Sequence, residues 1–430
     1  MDYIKRSITH KIVERLKKRR VIAVTGARQT GKTVLCKNII PSITNKPYKY
    51  YTFDDPEERI RFKNNAIAIL ESTKEPLIIL DEIQKIPELF DPLKYLADKE
   101  NKDDKRFIIT GSSQILLAKG IKETLAGRIS IFNLFPLSFG EILSKASKPI
   151  FLDKIIERKG IKKDDMNEIS FFSSDELRHI ESKRDKSVKW GGYPSLWQTV
   201  SGNEFLDSDA ERAAWLKDYR NTYIERDISD IGEVHNLDSF IIAQKLLALR
   251  TGQVLSFSEI AKETGVAVNT VKRYIFILNA TFQCFLLSPY FGNISKRLIK
   301  SPKIFFSDIG ISRTIAGEDG LSQGAAYETW VFSELLKWKE AKDFDAELFF
   351  FRSASGVEVD FIIKIEDVII PIEVKSPRRV GYADAKGIES FMNYYRDRNK
   401  IYFGIIAYPG REIKEVRKNI FAVPDWFLLS

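Results

Sequence analysis

Cysteine and histidine are scarce in this chain. Its 430 residues hold two cysteines, Cys36 and Cys284, and three histidines, His10, His179 and His235. Two distant thiols build no disulfide framework and no CxxC pair. No Cys/His group has the spacing of a zinc site. These five residues read as ordinary packing or surface. Long apolar runs are missing too. Nothing approaches the ~20 residues that span a bilayer, and the opening "MDYIKRSITHKIVERLKKRR" lacks the apolar core of a secretory signal. The chain therefore reads as soluble and cytoplasmic, with no membrane partner. Its first residues fit an amphipathic helix, with Ile4, Ile8, Ile12, Val13 and Leu16 near one face.

What is present is enough apolar material, 44%, to build ordinary cores. At about 150 residues per domain, the length suggests roughly three domains. Lys and Arg number 68 against 59 acidic residues, a net charge of +9. That excess fits either a polyanionic partner or a solvated surface, and gives weak support to nucleic acid.

One stretch, "GARQTGKT" from Gly26 to Thr33, lies between "RVIAVT" and "VLCKNII". The first flank is a β-branched apolar run, as in a buried parallel strand. The second has helical spacing, so the glycine loop joins a strand to a helix, the context a phosphate-binding loop requires. Gly26, Ala27, Arg28, Gln29, Thr30, Gly31, Lys32, Thr33 and Val34 form the candidate nucleotide cradle. Gly26 and Gly31 let backbone N–H groups turn onto phosphate oxygens. Lys32 has the reach for the β- and γ-phosphates, and the Thr33 hydroxyl is a Mg²⁺ ligand candidate. The alternative is a plain glycine turn. Against it stands "PLIILDEIQ", a second buried-strand run ending in Asp81 and Glu82. Asp81 is placed to hold Mg²⁺, Glu82 to orient and deprotonate the attacking water.

A third strand, "RFIITGSS", ends in Thr110 and Ser112, and "ETLAGRISIFNLFPLS" follows. The pieces "GARQTGKT", "LIILDEIQ", "FIITGSSQ", "LAGRI" and "FPLSFGE" together resemble the AAA-type P-loop ATPases (AAA_14-like) that carry a C-terminal DUF4143 domain. The resemblance implies that Ser112 senses the γ-phosphate. It also implies that Arg128 reaches the nucleotide of a neighbouring subunit, which would require a homo-oligomer. A salt bridge within its own subunit is the other reading of Arg128.

From Phe151 to Lys189 the chain is charged and carries no chemical motif, as in an insertion or lid. "WGGYPSLW" supplies a turn among aromatics. "WLKDYRNTYIERDISDI" reads as a helix bearing Arg220, Arg226 and Asp227, either a lid reaching toward the nucleotide or an intrahelical ion-pair face. Next, "FSEIAKETG" ends at a glycine, and Asn269 is expected to cap a second helix, "TVKRYIFILNATF". Two strands around a basic hairpin follow, completing a winged-helix pattern. In a DNA-reading role Asn269, Thr270, Lys272 and Arg273 face the major groove, and Lys296, Arg297 and Lys300 contact phosphates. In the rival role the module only packs against protein.

The last third contains "VEVDFIIK" and "VIIPIEVKS", two strands joined by a tight turn at Glu366 and Asp367. Asp360 lies on the first. Glu373 and Lys375, two apart, share one face of the second. Asp360 and Glu373 are hard oxygen donors for Mg²⁺ or Mn²⁺, and Lys375 is placed to orient a water. Glu328, on the upstream helix "AAYETWVFSELLKW", is a further carboxylate. This D…ExK arrangement resembles the PD-(D/E)xK nuclease superfamily, with "VEV" where its first acid is usually preceded by proline. An exposed hairpin with charges on its wet face is the other reading.

The expected architecture is α/β. A P-loop AAA-type domain with a parallel sheet spans 1–150 and a helical lid or linker 151–250. A winged helix spans 251–312 and a restriction-endonuclease-like domain 313–430. The expected function is an ATP-hydrolysing, DNA-associated ATPase using ATP and Mg²⁺, with double-stranded DNA as partner and metal-dependent DNA cleavage by the C-terminal domain as a further candidate activity. The alternative is a nucleotide switch that binds a protein partner, with the C-terminal fold inactive.

Overall fold

The structure, a computed structural model, describes residues 3–99, 105–112, 125–146, 148–200, 203–231, 234, 236–291, 301–317, 319–395 and 400–430. Five strands form the N-terminal sheet: β1 Val21–Thr25, β2 Tyr48–Thr52, β3 Leu77–Asp81, β4 Arg106–Gly111 and β5 Ile129–Asn133. They run in the order β2-β3-β4-β1-β5, and every pairing is parallel. Every residue of β1 and β3 is buried, because both faces of a parallel sheet are covered. Helix α1, Thr9–Lys18, covers one face with Ile12, Val13 and Leu16. It starts later than the apolar pattern suggested: Ile4 precedes it, half-buried. Both cysteines are buried, and burial pushes both thiols up.

The stretch read as an insertion or lid packs elsewhere. Phe151, Leu152, Ile155, Ile169 and Ile180 share one core with Trp330, Leu335, Phe361 and Trp426 of the C-terminal part. Its helix α2, Ser174–Trp190, is also tied there by polar contacts. Arg184 Nη1 lies 3.1 Å from Asp425 Oδ2, both groups buried. Trp330 Nε1 donates to Ser187 Oγ at 2.9 Å. The apolar stripe of 151–180 finds its matching surface on the C-terminal domain.

The middle part is helical: α3 Asp209–Ile231, α4 Leu237–Leu249, α5 Phe257–Thr264 and α6 Val268–Ala280, then an antiparallel pair, β6 Cys284–Leu287 and β7 Lys303–Phe306. Helix α5 ends at Gly265 in the left-handed region, as its glycine suggested. The cap of α6 differs from expectation. Ala267 takes the extended cap conformation, and Asn269 sits exposed in the first turn without a capping bond. Lys272 and Arg273 are exposed on α6, and Thr270 half-exposed. The expected wing residues Lys296, Arg297 and Lys300 lie outside the described residues, as do the Arg226 and Asp227 side chains.

The C-terminal sheet has six strands: β8 Ala346–Arg352, β9 Glu358–Ile365, β10 Val368–Val374, β11 Gly404–Tyr408, β12 Lys414–Arg417 and β13 Ile420–Pro424, in the order β8-β9-β10-β11-β13-β12. The β9–β10 hairpin turns at Glu366, φ 51°, and Asp367, as predicted. Helix α7, Gln323–Ala341, covers one face through Trp330, Val331 and Leu335. Helix α8, Lys386–Tyr395, covers the other through Ile388 and Phe391. Among the described residues no helix is long and apolar enough to cross a membrane.

The "WGGY" turn joins the parts by close backbone approach. Gly192 N donates to buried Asp308 Oδ2 at 2.8 Å, and its carbonyl accepts from Leu137 N at 2.6 Å. A Cβ on Gly192 would lie 2.2 Å from the Leu137 carbonyl oxygen, and one on Gly191 would strike the Asp308 carboxylate. Gly192→Ala is expected to lower the unfolding free energy in urea by about 1–3 kcal/mol or more through overpacking. Gly324→Ala, where a Cβ meets open space on α7, is expected to raise it by about 0.5–1 kcal/mol.

Candidate functional site

Because all five N-terminal strands run parallel, the loops following them meet at one edge of the sheet, where α/β folds hold ligands. The Gly26–Thr33 loop leaves β1 there and enters a helical run beginning with Lys32–Val34. A Cβ at Gly26 would lie 2.2 Å from the Leu134 carbonyl oxygen, so the loop passes β5's exit at glycine distance. Gly31 has φ +93°, a left-handed conformation that favours glycine. Lys32 is 6% exposed, and its Nζ donates to the carbonyls of Gly26 at 3.0 Å and Ala27 at 2.9 Å. The ammonium thus lies folded over the loop.

Asp81, at the end of β3, faces it. Its buried carboxylate accepts from Thr33 Oγ1 at 2.9 Å, from the Tyr50 hydroxyl at 2.7 Å and from the Thr110 hydroxyl. Burial, then Asp81, pushes the Tyr50 phenol up. Glu82 takes φ 58°, which turns its side chain out of the strand direction. Its N–H donates to Thr110 Oγ1 at 3.1 Å, and its Oε2 accepts from Gln84 Nε2 and from Ser112 Oγ at 3.4 Å. Gln84 also donates to Ser112 Oγ at 3.2 Å. The structure thus gathers Lys32, Thr33, Asp81, Glu82 and Ser112 at one edge. A hydroxyl beside a carboxylate, both already 2.9 Å apart, is a donor set that fits Mg²⁺.

Arg128 stands apart. It precedes β5, at the opposite edge, roughly 16 Å of strand away from the loop. Its Nε pairs with Asp98, and 38% of the side chain is exposed.

Three contributors were missed by motif reading. Arg6, 7% exposed, donates from Nη1 to the Thr30 carbonyl at 2.7 Å, from Nη2 to the Phe135 carbonyl and from Nε to Glu141 at 3.0 Å. It clamps the loop from behind. Only its place among basic neighbours marks it in the sequence, and a salt-solvated arginine looks the same. Gln84 lies inside the quoted "PLIILDEIQ" run and Tyr50 on β2, a strand the sequence reading did not pick out, and no spacing rule selects either. From the middle part, Pro194 Cγ would lie 3.9 Å from a Cβ on Gly31. The Tyr219 hydroxyl lies 3.5 Å from the Arg28 carbonyl and accepts from Tyr193 at 2.8 Å. Arg220, next on α3, has a buried Nε without a hydrogen-bond partner, and burial lowers its pKa.

A second cluster lies on the C-terminal sheet. Asp360 Oδ2 accepts from Val374 N at 2.8 Å, and Lys375 Nζ lies 2.7 Å from Glu373 Oε1. Glu328 on α7 joins them, as predicted. Two further residues join as well: Glu358, from the "VEV" run, and Lys303 on β7. Lys303 is 3% exposed, and its Nζ lies 3.0 Å from Glu328 Oε1, 2.5 Å from Glu358 Oε1 and 4.0 Å from Asp360 Oδ1. Burial pulls Lys303 down, yet Glu328, Asp360 and Glu358 together hold it above the ordinary lysine value. Burial and Asp360 push Glu328 up to about 7 and Glu373 up to about 8, each against its lysine. Mg²⁺ or Mn²⁺ does not fit this cluster. Lys303 Nζ already occupies the space between the Glu328 and Glu358 oxygens that a divalent ion would need. The sequence offered no signal for Lys303: a lysine at a strand end ordinarily points to water.

The chain was compared with known proteins. Residues 18–143 match the family described as AAA domain, residues 182–322 a domain of unknown function (DUF8612), and residues 323–428 a domain of unknown function (DUF4143). An uncharacterized protein of Mycobacterium tuberculosis is 28% identical over 364 residues, covering 83% of this chain and 70% of that protein. An uncharacterized protein of Methanocaldococcus jannaschii is 22% identical over 354 residues, covering 80% and 72%. Among solved structures, the Walker-type ATPase of Pyrococcus abyssi aligns with 14% identity and a TM-score of 0.44, covering 73% of this chain and 96% of that one. The chain joins an AAA-type ATPase domain at its N-terminus to a DUF4143 domain at its C-terminus.

Proposed function

We propose that the chain hydrolyses ATP at the Gly26–Thr33 loop and works in association with double-stranded DNA. The observation that carries the first part is the convergence on Asp81, which ties the loop's Thr33 to strands β2, β3 and β4. Lys32 exchanges the Gly26 and Ala27 carbonyls for phosphate oxygens, and backbone N–H groups of the loop take the rest. Thr33 and Asp81 would hold Mg²⁺, which would neutralise charge on the triphosphate. Glu82 accepts a proton from the attacking water, and Gln84 and Ser112 fix its carboxylate. Ser112 stands near enough to report on the γ-phosphate. Arg128, remote from its own loop, would leave its pair with Asp98 to serve a neighbouring subunit's nucleotide in a homo-oligomer.

The DNA part rests on α6, which presents Asn269, Lys272 and Arg273 to solvent after a glycine-ended α5, and the antiparallel pair β6 and β7 that follows supports the winged-helix reading. For the C-terminal domain, Lys303 among its carboxylates favours docking over metal-dependent DNA cleavage. The same contact also favours the second reading, a nucleotide switch in which that domain is a docking surface.

Lys32→Ala is expected to abolish both ATP binding and steady-state hydrolysis. Glu82→Gln is expected to keep binding while kcat falls about 10²–10⁴-fold. Unchanged hydrolysis in either variant refutes the site. Mixing inactive Glu82→Gln and Arg128→Ala proteins is expected to restore part of the ATPase rate, since mixed assemblies pair an intact loop with an intact arginine. No recovery at any ratio rules out action in trans. Duplex DNA affinity by gel shift is expected to fall about tenfold or more between about 50 and 200 mM salt. Lys272→Ala/Arg273→Ala is expected to weaken it. Little DNA binding at any salt selects the switch.

A further inference from the structure

The carboxylates of the C-terminal cluster come from α7, β9 and β10, all within the DUF4143 match. Lys303 does not. It belongs to β7 of the middle part and is held by the backbone of that part: Lys303 pairs with Leu287 across β6–β7, and Val254 bridges it on the other side. The middle part follows it into the contact. Gly252 N donates to the Ile304 carbonyl at 2.7 Å, and a Cβ on Gly252 would lie 3.3 Å from Glu328 Oε2. Next to it Thr251 Oγ1 and Thr329 Oγ1 are 2.9 Å apart, both buried. The aliphatic stem of Lys303 crosses the contact, and its Nζ lies 5.5 Å from the Phe350 ring centre.

We propose that Lys303 is a tethered cation that sits between Glu328 and Glu358, with Asp360 next to them, in the place of a divalent metal, and locks the middle part onto the C-terminal sheet. The electrostatic demand of the cluster is plain. Four carboxylates, of Glu328, Glu358, Asp360 and Glu373, face the ammonium groups of Lys303 and Lys375, with the half-exposed Arg352 guanidinium 3.9 Å from Glu358 Oε2. Buried carboxylates of one sign need a counterion. A metal and an ammonium satisfy the same oxygens, so the presence of one excludes the other. An ammonium supplied by a strand has an effective concentration no free ion matches, and unlike a metal it activates no water. The same residues that would make a hydrolytic centre therefore become an ionic joint between two parts of the chain. The proposal concerns the second site and is independent of the ATPase reading.

The test is Mn²⁺ binding without nucleotide, followed by paramagnetic resonance of free Mn²⁺ and by melting temperature. Wild type is expected to bind no Mn²⁺ that Asp360→Asn removes, and its melting temperature is expected not to respond to Mn²⁺. Lys303→Met is expected to melt several degrees lower, to bind one additional Mn²⁺ per chain, and to recover its melting temperature when Mn²⁺ is added but not when NaCl of equal ionic strength is. Lys303→Met/Asp360→Asn is expected to lose that response. Should Lys303→Met alone fail to fold, Lys303→Met/Glu358→Gln, which removes the carboxylate nearest the ammonium together with it and keeps Glu328 and Asp360, carries the same expectation. Asp360-dependent Mn²⁺ binding by wild type overturns the proposal. So does a folded Lys303 variant that takes up no additional Mn²⁺. ATPase activity enters neither readout, so failure here and failure of the P-loop reading are told apart by Lys32→Ala, which leaves every Mn²⁺ result at the C-terminal cluster unchanged.

Discussion

A single buried carboxylate organises the N-terminal domain. Asp81 accepts three hydroxyl donors, from the glycine loop, from β2 and from β4. Without them a charge at 3% exposure would stand unsolvated at the end of an all-apolar strand. With them, the loop, the β3 end and the neighbouring strand ends share one register. Glu82 follows directly in a left-handed conformation. That kink sends its carboxylate to Ser112 and Gln84 rather than back into the sheet. The spatial order of the strands matters equally: β4 lies between β1 and β3, so Thr110 and Ser112 stand between the glycine loop and the acidic pair.

The loop itself is held from behind. Arg6 is buried and bridges the Thr30 carbonyl, the Phe135 carbonyl and Glu141. Glu141 also accepts from the backbone of Ser7 and Ser138. The segment ahead of α1, the glycine loop and the "FPLSFGE" run are therefore one polar unit. A flexible cradle would lose binding energy to ordering, and this network supplies the order in advance.

Much of this was legible in the sequence, and the exceptions have physical causes. Strands β1, β3 and β4 announced themselves as β-branched runs, whereas the tyrosine-rich β2 did not, and the glycines at Gly31 and Gly265 marked left-handed backbone. Asp360, Glu373, Lys375 and Glu328 were read from period-two alternation and a helix, and they do meet. The second cation was not legible. Lys303 gains its meaning only from the tertiary contact that brings β7 beside α7, and strand spacing carries no such information. Arg6 hid in a basic run that resembles a solvated helix face. Asn269 had the right chemistry for a cap, but the chain turned two residues earlier, at Ala267, where the backbone alone starts the helix. The charged composition of 151–189 suggested a lid, and its sparse apolar residues proved to be spaced for a partner surface.

That last placement reaches beyond packing. The polypeptide runs from the N-terminal sheet into the C-terminal core, back to the helical middle part, and then into the C-terminal core again. A fragment cut at residue 313 or 323 would leave Trp330, Phe361 and Trp426 without the wall formed by Phe151, Ile155 and Ile180, and Asp425 without Arg184. The modules are interleaved in sequence. The helical middle part is joined to the C-terminal core by a chain crossing at each of its ends, so it cannot swing against that core about one hinge, whereas the N-terminal sheet enters the core through a single crossing.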